Sequence, residues 1–229
     1  KAAARMLWGN EASVLVGDFL LGQAFKMMVE VGSLEALDVL SSAASVIAEG
    51  EVLQLSVAKN METTEDDYLA VIRAKTAALF SAACEVGPIV AGAGKAERNA
   101  LRSYGMNLGL AFQLIDDVLD YGGSARDLGK NVGDDFREGK ITLPVIIARR
   151  RGRTEDHDFW ARALDVSRQE ESDLARAIHL IRSTGAAEAT IAEAEAYVGL
   201  AKSALSTLPD SRWRKALAEL ADFCVKRVN

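Results

Sequence analysis

The chain has 229 residues, 49% of them hydrophobic and 26% charged, with a formal net charge of -6 at pH 7. That is sequence enough for one large core, and its acidic balance argues against a nucleic-acid partner, whose phosphates want a basic face. With 3 prolines, few aromatics and Ala, Leu, Glu, Lys and Arg at helical spacing, the expectation is an all-α fold in a single domain, 1–229.

The first strong element is residues 12–31, an apolar helix that carries only a few polar groups, among them Asp18 and Gln23. A helix apolar on nearly all sides is expected to be buried, centrally or at a subunit interface. No uninterrupted apolar run reaches bilayer length and no signal peptide is recognisable, which predicts no transmembrane segment and a cytoplasmic protein. Cys84 and Cys224 fall in apolar helical stretches and are read as buried thiols in a reducing compartment. Gly32 and Ser33 open a second helix running to about residue 59, with Gln54 as a polar group on its apolar face.

Thr64 and Asp67 form a T-x-x-D capping box for a third helix, expected to run to Gly87 before Pro88. Tyr68, Ile72, Lys75 and Leu79 share one face of it, and no acidic side chain lies close in sequence to Lys75. Snorkelling to solvent and an anionic ligand are competing readings of that lysine. A long helix follows from Lys95 to Tyr121, with Arg102, Gly105 and Gly109 on the stripe that leads to its acidic end. Two glycines on one helical stripe suggest close packing or a space kept open beside them.

The acidic end reads GLAFQLIDDVLDY, and it places Gln113, Asp116, Asp117 and Asp120 on one stripe about 100° wide. Three like charges on so apolar a helix call for a cation. Oxygen ligands without His or Cys suit magnesium, which keeps several waters and shares phosphate oxygens. Residues 122–140 form a long irregular stretch holding Lys130, Lys140, Asp134 and Asp135, and its length suggests function. Beyond it, Thr142 is expected to cap a helix with Pro144 in its first turn. Amphipathic helices over 154–166, 170–184, 186–208 and 210–228 complete the chain, with Thr154 and Asp210 as N-caps and Gly185 as a stop. His157 and His179 have no partner at metal-ligand spacing and are read as surface or partly buried residues.

Taken together, GDFLLGQAF, KTAALF, GLAFQLIDDVLD and GKNVGDDFREGKITLP resemble, in the same order along the chain, the motifs of the all-trans isoprenyl diphosphate synthases, nearest to the octaprenyl and decaprenyl group. The resemblance covers about residue 17 to residue 144 and implies an all-α isoprenoid-synthase bundle around a central cavity. It implies a prenyltransferase that condenses isopentenyl diphosphate with an allylic prenyl diphosphate, assisted by Mg2+, into a long polyprenyl diphosphate for quinone side chains. A homodimer is implied, with peripheral membrane contact for product release. By motif position, Asp116, Asp117 and Asp120 would hold the metal, Asp116 first among them. Lys75, Lys130 and Lys140 would grip the allylic diphosphate, with Asp134 supporting through water or Lys130, and Thr76 and Gln113 would face the allylic cation.

The family's first aspartate-rich motif, with the arginines that follow it, does not occur in this sequence. The resemblance places KAAARMLWGN shortly after such a motif and implies a chain that begins downstream of it. The alternatives are a shorter-chain geranylgeranyl or farnesyl synthase and a noncatalytic subunit of a heteromeric synthase.

Overall fold

The computed structural model describes residues 4–57, 60–122 and 132–227, and among them every regular element is helical. In chain order these are α1 (Ala4–Glu30), α2 (Leu34–Val57), α3 (Glu65–Ile72), a π-turn (Arg73–Ala77), α4 (Ala78–Val90) and α5 (Lys95–Gly122). After them come α6 (Asp134–Arg137), α7 (Leu143–Arg151), α8 (Thr154–Ala163), α9 (Asp173–Ser183), α10 (Ala186–Ala204) and α11 (Arg212–Lys226). The all-α expectation holds.

The centre of the bundle is α5, which packs against α4 on one side and α10 on the other. Its Leu110, Ala111, Leu114 and Ile115 are wholly buried, in one core with Trp160 and Ile181. The glycines behave as close-packing positions. A Cβ at Gly109 would lie 2.6 Å from the Ala77 Cα, and one at Gly105 only 2.3 Å from the Phe80 carbonyl oxygen. Side chains there would push α4 away from α5.

Local signals explain most ends. Thr64 accepts from the Asp67 amide at 3.1 Å, and the Asp67 carboxylate accepts the Thr64 amide at 3.0 Å, so the capping box is formed. Gly185, at φ +66°, separates α9 from α10. Other ends differ from expectation. The fourth helix continues through Pro88 to Val90 rather than stopping at Gly87. Arg153, not Thr154, is the N-cap of α8, its amide bonded to Asp156 at 3.2 Å. Ser211 rather than Asp210 caps α11, accepting from the Arg214 amide, while Asp210 pairs with Arg214. At α11 Ser211 lies one step nearer the free amides than Asp210 and caps them with its side chain, whereas at α8 the boundary moves one residue back to Arg153, whose side chain makes no capping bond.

Helix α1 is not buried centrally within the chain. Its apolar side chains are open to solvent in the single chain: Phe19 is 63% and Leu20 60% exposed. Among the described residues Met6–Glu30 has the length and mean hydropathy, 1.4, to cross a membrane, but composition by itself does not overturn the expectation of no transmembrane segment. Asp18 and Lys26 interrupt the run, but an average over the helix tolerates them. Cys224 is buried as expected, whereas Cys84 is only half-buried. His157 and His179 are both exposed.

Candidate active site

The site grows from one departure in the third helix. At Arg73–Ala77 the backbone makes a π-turn, in which the Ala78 amide donates to the Arg73 carbonyl five residues back. One added residue offsets the helix faces before and after it by about 100°. Leu79, on the Lys75 face of an unbroken helix, is consequently turned outward and 49% exposed. Tyr68, Ile72, Lys75 and Thr76 remain together on the inner side. The α2 backbone comes close at this turn, since a Cβ at Gly50 would lie 2.8 Å from the Lys75 nitrogen.

A cavity of about 370 Å³ opens between this turn, α2, α5 and the segment around Lys140. It is lined by Lys75, Thr76, Gln113, Asp116, Asp117 and Lys140, six of the residues selected from sequence. Lys75 does not snorkel away: its Nζ donates to Gln54 Oε1 at 2.8 Å and lies 3.1 Å from Glu51 Oε1. No acidic side chain is close to it along the chain; its acidic neighbour, Glu51, is supplied by α2 and not by the lysine's own helix.

Opposite lies a hydrogen-bonded row. Thr76 Oγ1 donates to Gln113 Oε1 at 3.0 Å, Gln113 Nε2 donates to Asp117 Oδ1 at 2.8 Å, and the Tyr68 hydroxyl donates to Asp117 Oδ2 at 2.5 Å. Asp117 is only 2% exposed. Burial pushes its carboxyl up to about 7, against the opposing pull of the Tyr68 and Gln113 hydrogen bonds. Burial, then the Asp117 charge, also drives Tyr68 well above the usual tyrosine range, so it stays a donor.

Not every selected residue joins the cavity. Asp120 does not line it; its oxygens accept from the Asp134 and Asp135 amides at 3.1 Å each. Burial and then the Asp135 charge raise its carboxyl to about 6. Asp134 pairs with Arg137 instead, and its neighbour Asp135 is the one that lines the cavity and holds Lys140 at 2.7 Å. Burial alone would lower the Lys140 ammonium, but its bonds to Asp135 and Glu138 outweigh that and raise it. Lys130 lies outside the described residues. Tyr68, Asp135 and Glu51 were not selected from sequence; Tyr68 was placed on the Lys75 face, but nothing local marked its partner 49 residues away.

Among the described residues no three Asp, Glu, His or Cys side chains converge into a self-contained metal site. No His or Cys is among the lining residues of the cavity, and four carboxylates line it, Asp116, Asp117, Asp135 and Glu138. They fit a hard divalent cation whose shell is completed by water and by phosphate oxygens of a bound substrate. The buried, raised Asp117 carboxyl is a charge such a cation would relieve.

The polyprenyl synthetase family matches residues 1–181. This chain belongs to that family. The octaprenyl diphosphate synthase of Escherichia coli (strain K12) is 45% identical over 227 residues, a match covering 99% of this chain and 70% of that protein. A polyprenyl synthase from Caulobacter crescentus CB15, crystallised with calcium and isoprenyl diphosphate, matches with a TM-score of 0.97 and 52% identity, covering 100% of this chain and 70% of that one. A decaprenyl diphosphate synthase from Rhodobacter capsulatus gives a TM-score of 0.92 at 48% identity, with the same coverage. The synthase described here is thus a prenyl-transferring enzyme on an isoprenoid-synthase fold.

Proposed function

We propose that this synthase condenses isopentenyl diphosphate with an allylic prenyl diphosphate, using magnesium, and makes a long all-trans polyprenyl diphosphate of the quinone side-chain kind. The observation that carries the reading is the single cavity in which Lys75, Thr76, Gln113, Asp116, Asp117 and Lys140 meet. Its identity to octaprenyl and decaprenyl synthases supports the choice of a long product.

In this reading Lys75 and Lys140 bind the allylic diphosphate, joined by Lys130 through motif position alone. Asp116 and Asp117 would hold magnesium, which when bound neutralises charge developing on the diphosphate leaving group. As the allylic carbon–oxygen bond ionises, Thr76 and Gln113 present oxygen lone pairs to the carbocation without a charged base that would quench it. Their orientation is prepared in advance: Gln113 is held through its amide nitrogen by Asp117 and accepts from Thr76 through its oxygen. Attack by the isopentenyl double bond and loss of one proton then lengthen the chain by one isoprene unit. A cytoplasmic location and peripheral membrane contact for release of so apolar a product accompany the reading.

The test is a product assay on the full-length protein with radiolabelled isopentenyl diphosphate and farnesyl diphosphate. Long polyprenyl products are expected. Products ending at C15 or C20 would refute the long-chain assignment and favour a short-chain synthase.

A further inference from the structure

Asp120 closes the acidic stripe of α5, yet both of its carboxylate oxygens are turned away from the cavity. Oδ1 accepts the Asp134 amide and Oδ2 the Asp135 amide, each at 3.1 Å, while the Asp120 carbonyl accepts the Gly133 amide at 2.8 Å. One residue of α5 thereby engages the three successive amides of Gly133–Asp135. The path continues inward. Asp135 Oδ1 accepts from Lys140 Nζ at 2.7 Å, and the Lys140 amide donates to the Asp135 carbonyl at 3.0 Å. Between them Gly139 sits at φ +70°, so close to the residue that ends α8 that a Cβ would fall 2.5 Å from the Leu164 carbonyl oxygen. The turn carrying Lys140 therefore has little freedom of its own.

We infer that Asp120 is a positioning residue: it anchors Gly133–Asp135 to α5 and, through Asp135, sets Lys140 at the cavity for the allylic diphosphate. The part concerning diphosphate rests on the function proposed above; the anchoring rests on geometry alone. An ionised carboxylate suits the task because it offers two acceptors side by side to two adjacent N–H groups, and hydrogen bonds to a charged group are the stronger kind. Both Asp120 oxygens are directed at the backbone of α6, outside the cavity lining, whereas the oxygens of Asp117 bond Tyr68 and Gln113, side chains that line it.

The experiment uses the full-length enzyme carrying Asp120→Asn, which keeps the shape but turns one acceptor into a donor facing an amide N–H. Hydrogen exchange at the Asp134 and Asp135 amides is expected to quicken by about tenfold or more. The KM for the allylic diphosphate should rise by about tenfold with kcat changed much less, and the magnesium concentration giving half-maximal rate should stay where it was. In a Lys140→Ala background Asp120→Asn should add no further rise in KM. Unchanged amide exchange together with a raised magnesium requirement would make Asp120 a metal ligand and overturn the inference. Additive effects with Lys140→Ala would overturn the link to that lysine. Should Asp120→Asn fail to fold, Asp135→Asn breaks the same path downstream and must reproduce the KM effect. If Lys140→Ala alone leaves KM unchanged, the diphosphate reading fails, while the exchange measurement still decides the anchoring.

Discussion

Asp116, Asp117 and Asp120 are chemically identical and lie within five residues, yet the fold gives them different surroundings. Asp116 and Asp117 line the cavity, Asp117 with both oxygens hydrogen-bonded, and Asp120 is engaged by the next segment. In the full-length enzyme Asp116→Ala should lower turnover by orders of magnitude with helical content unchanged by circular dichroism; near-normal turnover would count against the magnesium assignment. Tyr68→Phe removes a hydrogen bond to a buried carboxylate, a loss of about 1.5–3 kcal/mol. Urea unfolding should show that loss, accompanied by reduced turnover because Gln113 and Thr76 lose their fixed support. A variant as stable as the parent would mean that the Tyr68–Asp117 bond contributes nothing. The stripe itself was legible from 3.6-residue periodicity, and so were Gln113 and the aspartates on it. Their individual partners were not, because Tyr68 and the Asp134 and Asp135 amides come from segments that local sequence cannot bring alongside.

At the scale of elements, backbone proximity governs the site. Gly109→Ala gains about 1 kcal/mol of helix propensity. It also drives a Cβ to 2.6 Å from the Ala77 Cα, an overlap worth about 1–3 kcal/mol that falls on backbone and is not relieved by a rotamer change. Overlap should win: the expected result is a lower urea midpoint and, because Thr76 precedes Ala77, lower turnover. A higher midpoint would show that α4 can retreat freely. A second element contact predicts pH behaviour. Arg162 holds both oxygens of the buried Asp173 at 2.8 and 2.5 Å, and this hydrogen bonding keeps the carboxyl below its ordinary range. A depressed carboxyl contributes stability that is present above its unfolded pKa of about 3.9 and is lost as pH falls through the folded value. The difference in Tm between the parent and Asp173→Asn should hold steady from neutral pH to about pH 5 and shrink below pH 4. A gap that persists at pH 2.5 would rule out the charge as its source. Element boundaries were less legible than element types. The π-turn had no signature in its residues Arg73–Ala77, whose sequence suits an ordinary helix.

For the molecule as a whole, the feature that stands out is the exposed apolar length of α1. A contiguous apolar face of this kind marks an interaction surface. The homodimer that the sequence resemblance implies would give it an occupant, a second copy of the same helix about a two-fold axis. Sedimentation of the complete protein should give a dimer, and Leu20→Glu with Phe19→Glu should shift it towards monomer. A complete protein that sediments only as monomer would refute the dimer. The fold class, the ordering of the motifs and the family could be read without coordinates, since helical periodicity and short motifs are local properties of the chain. The meeting of Lys75 with Glu51, of Tyr68 with Asp117 and of Asp120 with the Asp135 amide was decided only by tertiary structure. Each joins residues on different elements, where distance along the chain says nothing about distance in space. The acidic stripe could announce a charge in need of a partner; only the packing of α2, the π-turn and α6 around α5 determined which partner each carboxylate received.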